Sequence, residues 1–325
     1  MEKISVIVPY YNSSIFLLRK CLFSLIAQTY KNIEIMVVID GATKNIDNLK
    51  EYFSSKDKRI RFVNITHGGV SVARNYGITH TDGKYIVFVD SDDYVDEIFL
   101  SKLYQGIQKA DISICGVAEQ FFPTEKADID TRIFFSLPAE YNYLQYTNFS
   151  VNKMYKREVI EKNHLSFPVG VGLGEDAMFL ADYYDKIKQI SISSLPLYHY
   201  VLNTTSATKK YQPEYWKWEK RVIYRQWELF QRYPLTEREN SYCYAWLYHK
   251  YKGLFSYYCT WKDNELSKYI ENIIQDELFN KLLSYSTARN EFWSKEMLKE
   301  IKIWKKKDSL ESRFLQPESS AAMRR

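Results

Sequence analysis

The chain has 325 residues, a length typical of about two domains. It contains 46% hydrophobic residues, 28 Tyr, 18 Phe and 7 Trp, enough apolar area to exclude disorder as its main state. The net charge is +5, no apolar run is long enough to span a bilayer, and no signal peptide is recognisable, so we expect a cytoplasmic protein. Its four cysteines lack metal-binding spacing, which predicts free buried thiols at Cys21, Cys115, Cys243 and Cys259.

Strand and helix patterns alternate over residues 1–115. Residues 4–9, 33–39, 61–65 and 85–89 are β-rich runs, and the segment after the first run repeats its apolar residues at helical spacing. Continuous apolar strands separated by helices predict a mostly parallel α/β sheet that is covered on both faces. Ligands of such sheets bind beyond the carboxyl ends of the strands.

Polar residues follow three of these strands and are expected to converge on one site: Pro9-Tyr10-Tyr11-Asn12, Asp40-Gly41 and Asp90-Ser91-Asp92-Asp93. In an extended backbone Asp90 and Asp92 would point the same way. Two such carboxylates suit Mg²⁺ or Mn²⁺, which would stabilise the charge of a departing diphosphate. The alternative is an acidic turn that only contacts solvent.

A second acidic pair, Glu175-Asp176, follows a glycine-rich loop in the less regular segment 116–208. A carboxylate that takes a proton from a hydroxyl nucleophile is a general base, and a neighbouring negative charge raises the pKa of one member of a pair. The alternative is a helix-terminal pair that complements the helix dipole. Both interpretations are compatible with the sequence.

The last third of the chain contains all seven Trp and the basic excess, and it has the pattern of amphipathic helices. We expect the boundary near residues 204–212, a helical module over 209–312, and a disordered tail over 313–325. The simplest role is a helical core packed on the preceding domain, and homo-oligomerisation through exposed aromatic residues is an alternative. Contact with an anionic membrane is another, through Ile301, Lys302, Ile303, Trp304, Lys305, Lys306 and Lys307. No motif supports nucleic-acid binding.

Seven segments together, in this order, resemble family 2 glycosyltransferases: residues 6–12, 24–30, 34–43, 69–78, 82–85, 90–93 and 175–179. The resemblance runs from about residue 4 to about residue 206. It implies a GT-A fold, with a nucleotide-sugar half over 1–115 and an acceptor half over 116–208. It also implies inverting, metal-dependent transfer from a nucleotide-diphosphate sugar.

The resemblance further implies roles for individual residues. Pro9, Tyr10 and Asp40 would line the base pocket, with Asp40 accepting a hydrogen bond from the uracil N3–H. Asp176 would be the general base, and Glu175 would add negative charge or hold the acceptor. Besides Pro9, Tyr10 and Asp40, the donor site would include Asn12, Arg74, Asn75, Asp90, Ser91 and Asp92.

Asp92, with Asp90, would hold the metal ion, and His199 is a candidate third ligand. His199 lies in an aromatic segment, so a hydrogen-bonded structural histidine is the alternative. Ser206 is either a phosphate contact or part of a plain loop between domains.

The resemblance thus implies transfer of a hexose or N-acetylhexosamine from a UDP-sugar to a hydroxyl of a glycan, carried by a lipid or a glycoprotein. The enzyme would be cytoplasmic, or peripheral at the inner face of the membrane. The alternative is a non-catalytic nucleotide-sugar-binding or scaffold protein on the same fold. A nucleotidyltransferase is disfavoured because residues 9–14 contain neither glycine nor a basic residue.

Overall fold

The computed structural model describes residues 1–118, 126–130, 148–202, 211–212, 214–260, 266–288 and 299. The chain divides into two compact units, Met1–Lys210 and Tyr211–Arg325. Several predictions lie outside the described part of the chain: those for Ser206, the side chain of Cys259, the segment 301–307 and the tail. Cys21, Cys115 and Cys243 are buried and are not part of a disulfide, as predicted.

The first unit begins with four parallel strands in the spatial order β3-β2-β1-β4. These strands are β1 (Ile4–Tyr10), β2 (Ile33–Asp40), β3 (Ile60–Ile65) and β4 (Tyr85–Phe88), connected by α1 (Ile15–Ile26), α2 (Asp47–Lys56) and α3 (Val70–Thr79). Every residue of β1 is buried, because helices cover the sheet. Gly77 lets α3 approach β1, since a Cβ there would lie 2.4 Å from Cγ2 of Ile7.

The remainder of the unit extends this sheet with strands of both directions. It comprises β5 (Tyr94–Val95), α4 (Phe99–Ile107), β6 (Ile112–Val117), β7 (Lys126–Asp130), β8 (Lys153–Lys156), α5 (Arg157–Lys162), α6 (Glu175–Tyr184) and β9 (Gln189–His199). β8 lies antiparallel between β4 and β6, and β9 runs parallel to β6 and pairs with β5 and β7. The predicted α/β architecture is confirmed, although the sheet is more mixed than the first four strands indicate.

The second unit is helical in all its described elements: α7 (Tyr215–Gln231), α8 (Glu237–Thr260), α9 (Leu266–Gln275) and α10 (Glu277–Ala288). One face of α8 is buried, at Cys243, Leu247, Tyr251 and Leu254. Asp276, which is buried between α9 and α10, accepts hydrogen bonds from the Tyr251 hydroxyl at 2.5 Å and the Phe279 N–H at 3.1 Å. No helix among the described residues is long and apolar enough to cross a membrane.

Candidate functional site

The loops that follow β1 and β2 are tied together by Asn12. Its Oδ1 accepts hydrogen bonds from the N–H groups of Thr43 at 2.9 Å and Lys44 at 3.1 Å. Lys44 Nζ donates back to the Asn12 carbonyl at 2.7 Å. Asn12 has a φ of 51°, a left-handed conformation that asparagine tolerates. Asn12 therefore fixes one side of the carboxyl edge of the sheet.

Asp40 organises the loop that leads into α3. Its buried carboxylate accepts hydrogen bonds from the N–H groups of Gly68 at 2.7 Å and Gly69 at 2.9 Å, and His67 Nδ1 lies 2.9 Å from its Oδ2. The His67 ring stacks on Tyr11, with ring centroids 4.3 Å apart. Oδ2 of Asp40 has two partners and Oδ1 has one, so Oδ1 can accept a further hydrogen bond.

The acidic segment after β4 is a turn and not the extended backbone that the sequence argument assumed. The Asp93 N–H donates to the Asp90 carbonyl at 3.1 Å, which closes the turn. Ser91 is buried, and its Oγ lies 3.0 Å from Oγ of Ser13. Asp92 is partly exposed, and within the described ranges its carboxylate has no hydrogen bond or ion pair.

Asp93 belongs to the predicted acidic cluster, but the sequence predicts no role of its own for it. Its buried carboxylate accepts hydrogen bonds from the Tyr198 hydroxyl at 2.6 Å and the Val201 N–H at 2.8 Å. The Tyr198 oxygen in turn accepts the Asp90 N–H at 3.2 Å. Burial, together with the charge of Asp90, raises the pKa of Asp93 to about 8. Asp93 therefore connects the acidic turn to the end of β9.

Arg74 of α3 brings three acidic residues together. Its Nη1 lies 2.6 Å from Oδ1 of Asp176 and 3.1 Å from Oε1 of Glu175, and its Nη2 lies 3.0 Å from Oδ1 of Asp90. Arg74 is only 3% exposed, and burial would lower its pKa. The charges of the three carboxylates outweigh that effect and raise the pKa of the guanidinium.

Glu175 and Asp176 form the first turn of α6, so the helix-terminal interpretation is compatible with the active-site one. Burial, then the charge of Asp176, raises the pKa of Glu175 to about 7, although Arg74 acts in the opposite direction. Asp176 uses both oxygens, because its Oδ2 accepts the Ser150 N–H at 3.1 Å. Ser150 is not among the residues predicted from the sequence.

Four predicted site residues have structural partners of their own. Tyr10 is buried, with its hydroxyl 3.4 Å from the Ser13 carbonyl, and Pro9 pairs with Val38 inside the sheet. Asn75 exchanges two hydrogen bonds of 2.8 Å with the backbone of Phe167. Nε2 of His199 lies 2.8 Å from Oδ2 of Asp96. The His199 ring also stacks on Tyr94.

The residues present fit a divalent cation only in part. Among the described residues, no group of three or more His, Cys, Asp or Glu side chains is arranged to hold a metal ion. The Asp92 carboxylate and the second oxygen of Asp90 are hard donors of the kind that Mg²⁺ and Mn²⁺ prefer, with phosphate oxygens and water as further ligands. The Nε2 of His199 is paired with Asp96, so only its Nδ1 is left as a possible metal ligand.

The chain is similar to known proteins over much of its length. Residues 5–163 match the sequence model of glycosyl transferase family 2. The chain is 31% identical over 219 residues to EpsH of Bacillus subtilis, whose name describes a glycosyltransferase, covering 64% of this chain and 63% of EpsH. It is 33% identical over 226 residues to glycosyltransferase GlyA of Streptococcus pneumoniae, covering 64% of this chain and 32% of GlyA. The chain therefore spans less than two thirds of either relative.

A solved structure of S. aureus TarS residues 1–349 in complex with UDP-GlcNAc superposes with a TM-score of 0.67. The superposition covers 87% of this chain and 81% of TarS at 18% sequence identity, which is evidence about the fold alone. The sheet order, the acidic turn after β4 and this likeness agree on the predicted GT-A fold. The family match begins inside β1, and over residues 5–163 the chain is similar to glycosyl transferase family 2.

Proposed function

We propose that this protein is an inverting glycosyltransferase that moves a hexose or N-acetylhexosamine from a UDP-sugar to a hydroxyl of a glycan acceptor. The observation that carries the proposal is the convergence of Asp90, Glu175 and Asp176 on the buried Arg74 at the carboxyl edge of the sheet. The relatives named as glycosyltransferases and the UDP-GlcNAc bound to TarS support the reaction and the donor class.

Asp176 is the proposed general base. As the acceptor oxygen forms its bond to the anomeric carbon, the bond from that carbon to the diphosphate breaks, and the hydroxyl proton passes to Asp176. UDP leaves with the electron pair of the broken bond. The contacts of Asp176 with Arg74 and the Ser150 N–H hold the carboxylate in one orientation, which is a condition for efficient proton transfer.

Asp92 and Asp90 are the proposed ligands of Mg²⁺ or Mn²⁺. A cation bound there would neutralise charge on the departing diphosphate. This assignment is supported by the partly exposed Asp92 carboxylate, which has no partner in the described part of the chain, and by the hard-donor chemistry of both groups. His199 stays a candidate third ligand through its Nδ1, with Asp96 orienting the ring through Nε2.

The uracil site is proposed at the loop that Asp40 organises. Tyr11 is 51% exposed and stacks on His67, so a flat aromatic surface borders the buried carboxylate. A nucleobase can stack on such a surface while its N3–H donates to Asp40. We further propose that the acceptor glycan is carried by a lipid or by a glycoprotein. The basic segment 301–307 would contact the inner face of the membrane, and the protein would form a homo-oligomer.

The test is UDP release from a panel of UDP-sugars, with Mn²⁺ and with EDTA, followed by the same assay with glycan acceptors. We expect release from one donor, stopped by EDTA. Asp92→Asn should abolish metal-dependent UDP binding and transfer, whereas Asp176→Asn should retain UDP binding and lose transfer. Asp82→Asn is the matched control, because Asp82 is exposed and pairs with Lys3 at the opposite edge of the sheet.

Two results would contradict the proposal. Full activity of Asp92→Asn or of Asp176→Asn would remove the corresponding role. UDP binding without turnover of any donor or acceptor would favour the alternative, a nucleotide-sugar-binding scaffold on the same fold.

A further inference from the structure

Lys153, the first residue of β8, is completely buried beside the acidic site. Its Nζ donates to the Phe149 carbonyl at 2.6 Å, the Asn152 side-chain oxygen at 2.7 Å and the Val151 carbonyl at 3.3 Å. An ammonium group has three N–H donors, and each of these oxygens can accept a hydrogen bond from one of them. One side chain thus gathers the oxygens of the short turn that precedes β8.

This turn presents one N–H group to the proposed base. Ser150, which is also completely buried, donates its N–H to Oδ2 of Asp176 at 3.1 Å. The Ser150 carbonyl points elsewhere and accepts the Tyr155 hydroxyl at 2.8 Å. The direction of the Ser150 N–H, and hence the orientation of Asp176, depends on the conformation of residues 149–152.

Asn152 connects the same turn to the sheet. It has a φ of 56°, and it exchanges hydrogen bonds with the backbone of Cys115 in β6, at 2.6 Å through its Nδ2 and at 3.1 Å through its carbonyl. The turn is therefore fixed to β6 on one side and held by the Lys153 ammonium on the other.

A buried ammonium is unfavourable unless it is compensated. Burial lowers the pKa of Lys153 to about 7, because the charged form loses its hydration. A methionine or leucine would fill the same volume without the penalty, so a buried lysine here calls for a reason. The geometry offers one, because the ammonium joins two carbonyls and an amide oxygen of a single turn.

We propose that Lys153 is a positioning residue of the transfer reaction: it holds the 149–152 turn so that the Ser150 N–H keeps Asp176 in its reactive orientation. This inference rests on the proposed function, because it takes Asp176 as the base. Lys153 itself touches neither donor nor acceptor in this scheme.

The experiment compares Lys153→Met and Lys153→Gln with the wild type, and Lys156→Met serves as the matched control. Lys156 is on the same strand, but its side chain pairs with Asp111 at 3.0 Å. We expect Lys153→Met to lower kcat ten- to a hundredfold with UDP affinity and donor KM within twofold, since a small misplacement of a reacting group has effects of this size. Lys153→Gln, which keeps two N–H donors, should lose less, and Lys156→Met should match the wild type.

A second readout is independent of catalysis. Hydrogen exchange of the Ser150 amide should be slow in the wild type and in Lys156→Met, and at least tenfold faster in Lys153→Met. The inference is overturned by unprotected exchange of this amide in the wild type, or by a wild-type kcat in folded Lys153→Met. Parallel loss of kcat and UDP affinity would also overturn it, because that pattern indicates a general structural role. If the wild type itself transfers no sugar, the proposed function fails, and the exchange measurement still tests the link from Lys153 to Ser150.

Discussion

Replacing Glu175 with glutamine should flatten the pH dependence of the stability of the Met1–Lys210 unit. Burial and the charge of Asp176 raise the pKa of Glu175 from its ordinary 4.5 to about 7. Between these values the folded chain retains a proton that the unfolded chain has released, so the unfolding free energy of the wild type falls as the pH rises. At about 1.4 kcal/mol for each pH unit of difference, the loss is about 3 kcal/mol. Glutamine has no such loss, and it keeps an oxygen for Arg74.

The assay is chemical unfolding at pH 5, 6, 7 and 8, in which circular dichroism monitors the loss of secondary structure of the whole chain. Tryptophan fluorescence reports on the other unit, since all seven Trp lie in residues 216–304. The wild type should lose about 3 kcal/mol more than Glu175→Gln between pH 5 and pH 8. Glu161→Gln is the control, because Glu161 is 62% exposed and its ion pair with Arg157 at 3.5 Å contributes little. Parallel pH profiles for the wild type and Glu175→Gln would refute the assigned environment of Glu175.

Three further substitutions test other contacts. Arg74→Lys keeps the charge but loses the planar fork that reaches three carboxylates, so kcat should fall about tenfold or more, with a lower thermal midpoint by calorimetry. Tyr198→Phe leaves the buried Asp93 without its 2.6 Å hydrogen bond and should cost about 1–3 kcal/mol in unfolding followed by circular dichroism. Asp276→Ala removes a helix cap and the partner of Tyr251, and should cost about 3 kcal/mol in unfolding followed by tryptophan fluorescence.

The parallel half of the sheet could be predicted from the sequence because each strand is buried on both faces. The run at residues 4–9 became β1 (Ile4–Tyr10), and the run at 85–89 became β4 (Tyr85–Phe88). β8 could not be predicted in this way. It is only four residues long and begins and ends with lysine, and it is a strand because β4 and β6 pair with it from both sides. Tertiary pairing, and not local preference, determines such a strand.

The acidic members of the site could be selected from the sequence, and the family resemblance named Arg74, but the pairing of Arg74 with three of these carboxylates could not be predicted. Asp90 and Asp176 stand out because they follow a strand and a glycine-rich loop. Their common partner Arg74 is 16 residues from Asp90 and 102 residues from Asp176, a pairing that no local pattern encodes. Lys153 is harder still, because a lysine within a short polar segment is typical of an exposed strand until the structure shows it buried.

The charge of the site argues for a cation that accompanies the donor. Four acidic residues lie at this edge of the sheet: Asp90, Asp93, Glu175 and Asp176. Burial and the neighbouring negative charges raise the pKa values of Glu175 and Asp93. This holds although the buried Arg74 contacts Asp90, Glu175 and Asp176. A nucleotide diphosphate would bring further negative charge to the same edge of the sheet, and Arg74 is already engaged by carboxylates. Coulomb repulsion at these distances is severe in a partly buried site. A divalent ion on Asp92 and Asp90 would reverse that balance, so UDP affinity should depend on the metal more strongly than on any single side chain. For this reason the EDTA arm of the donor panel is the most direct test of the site.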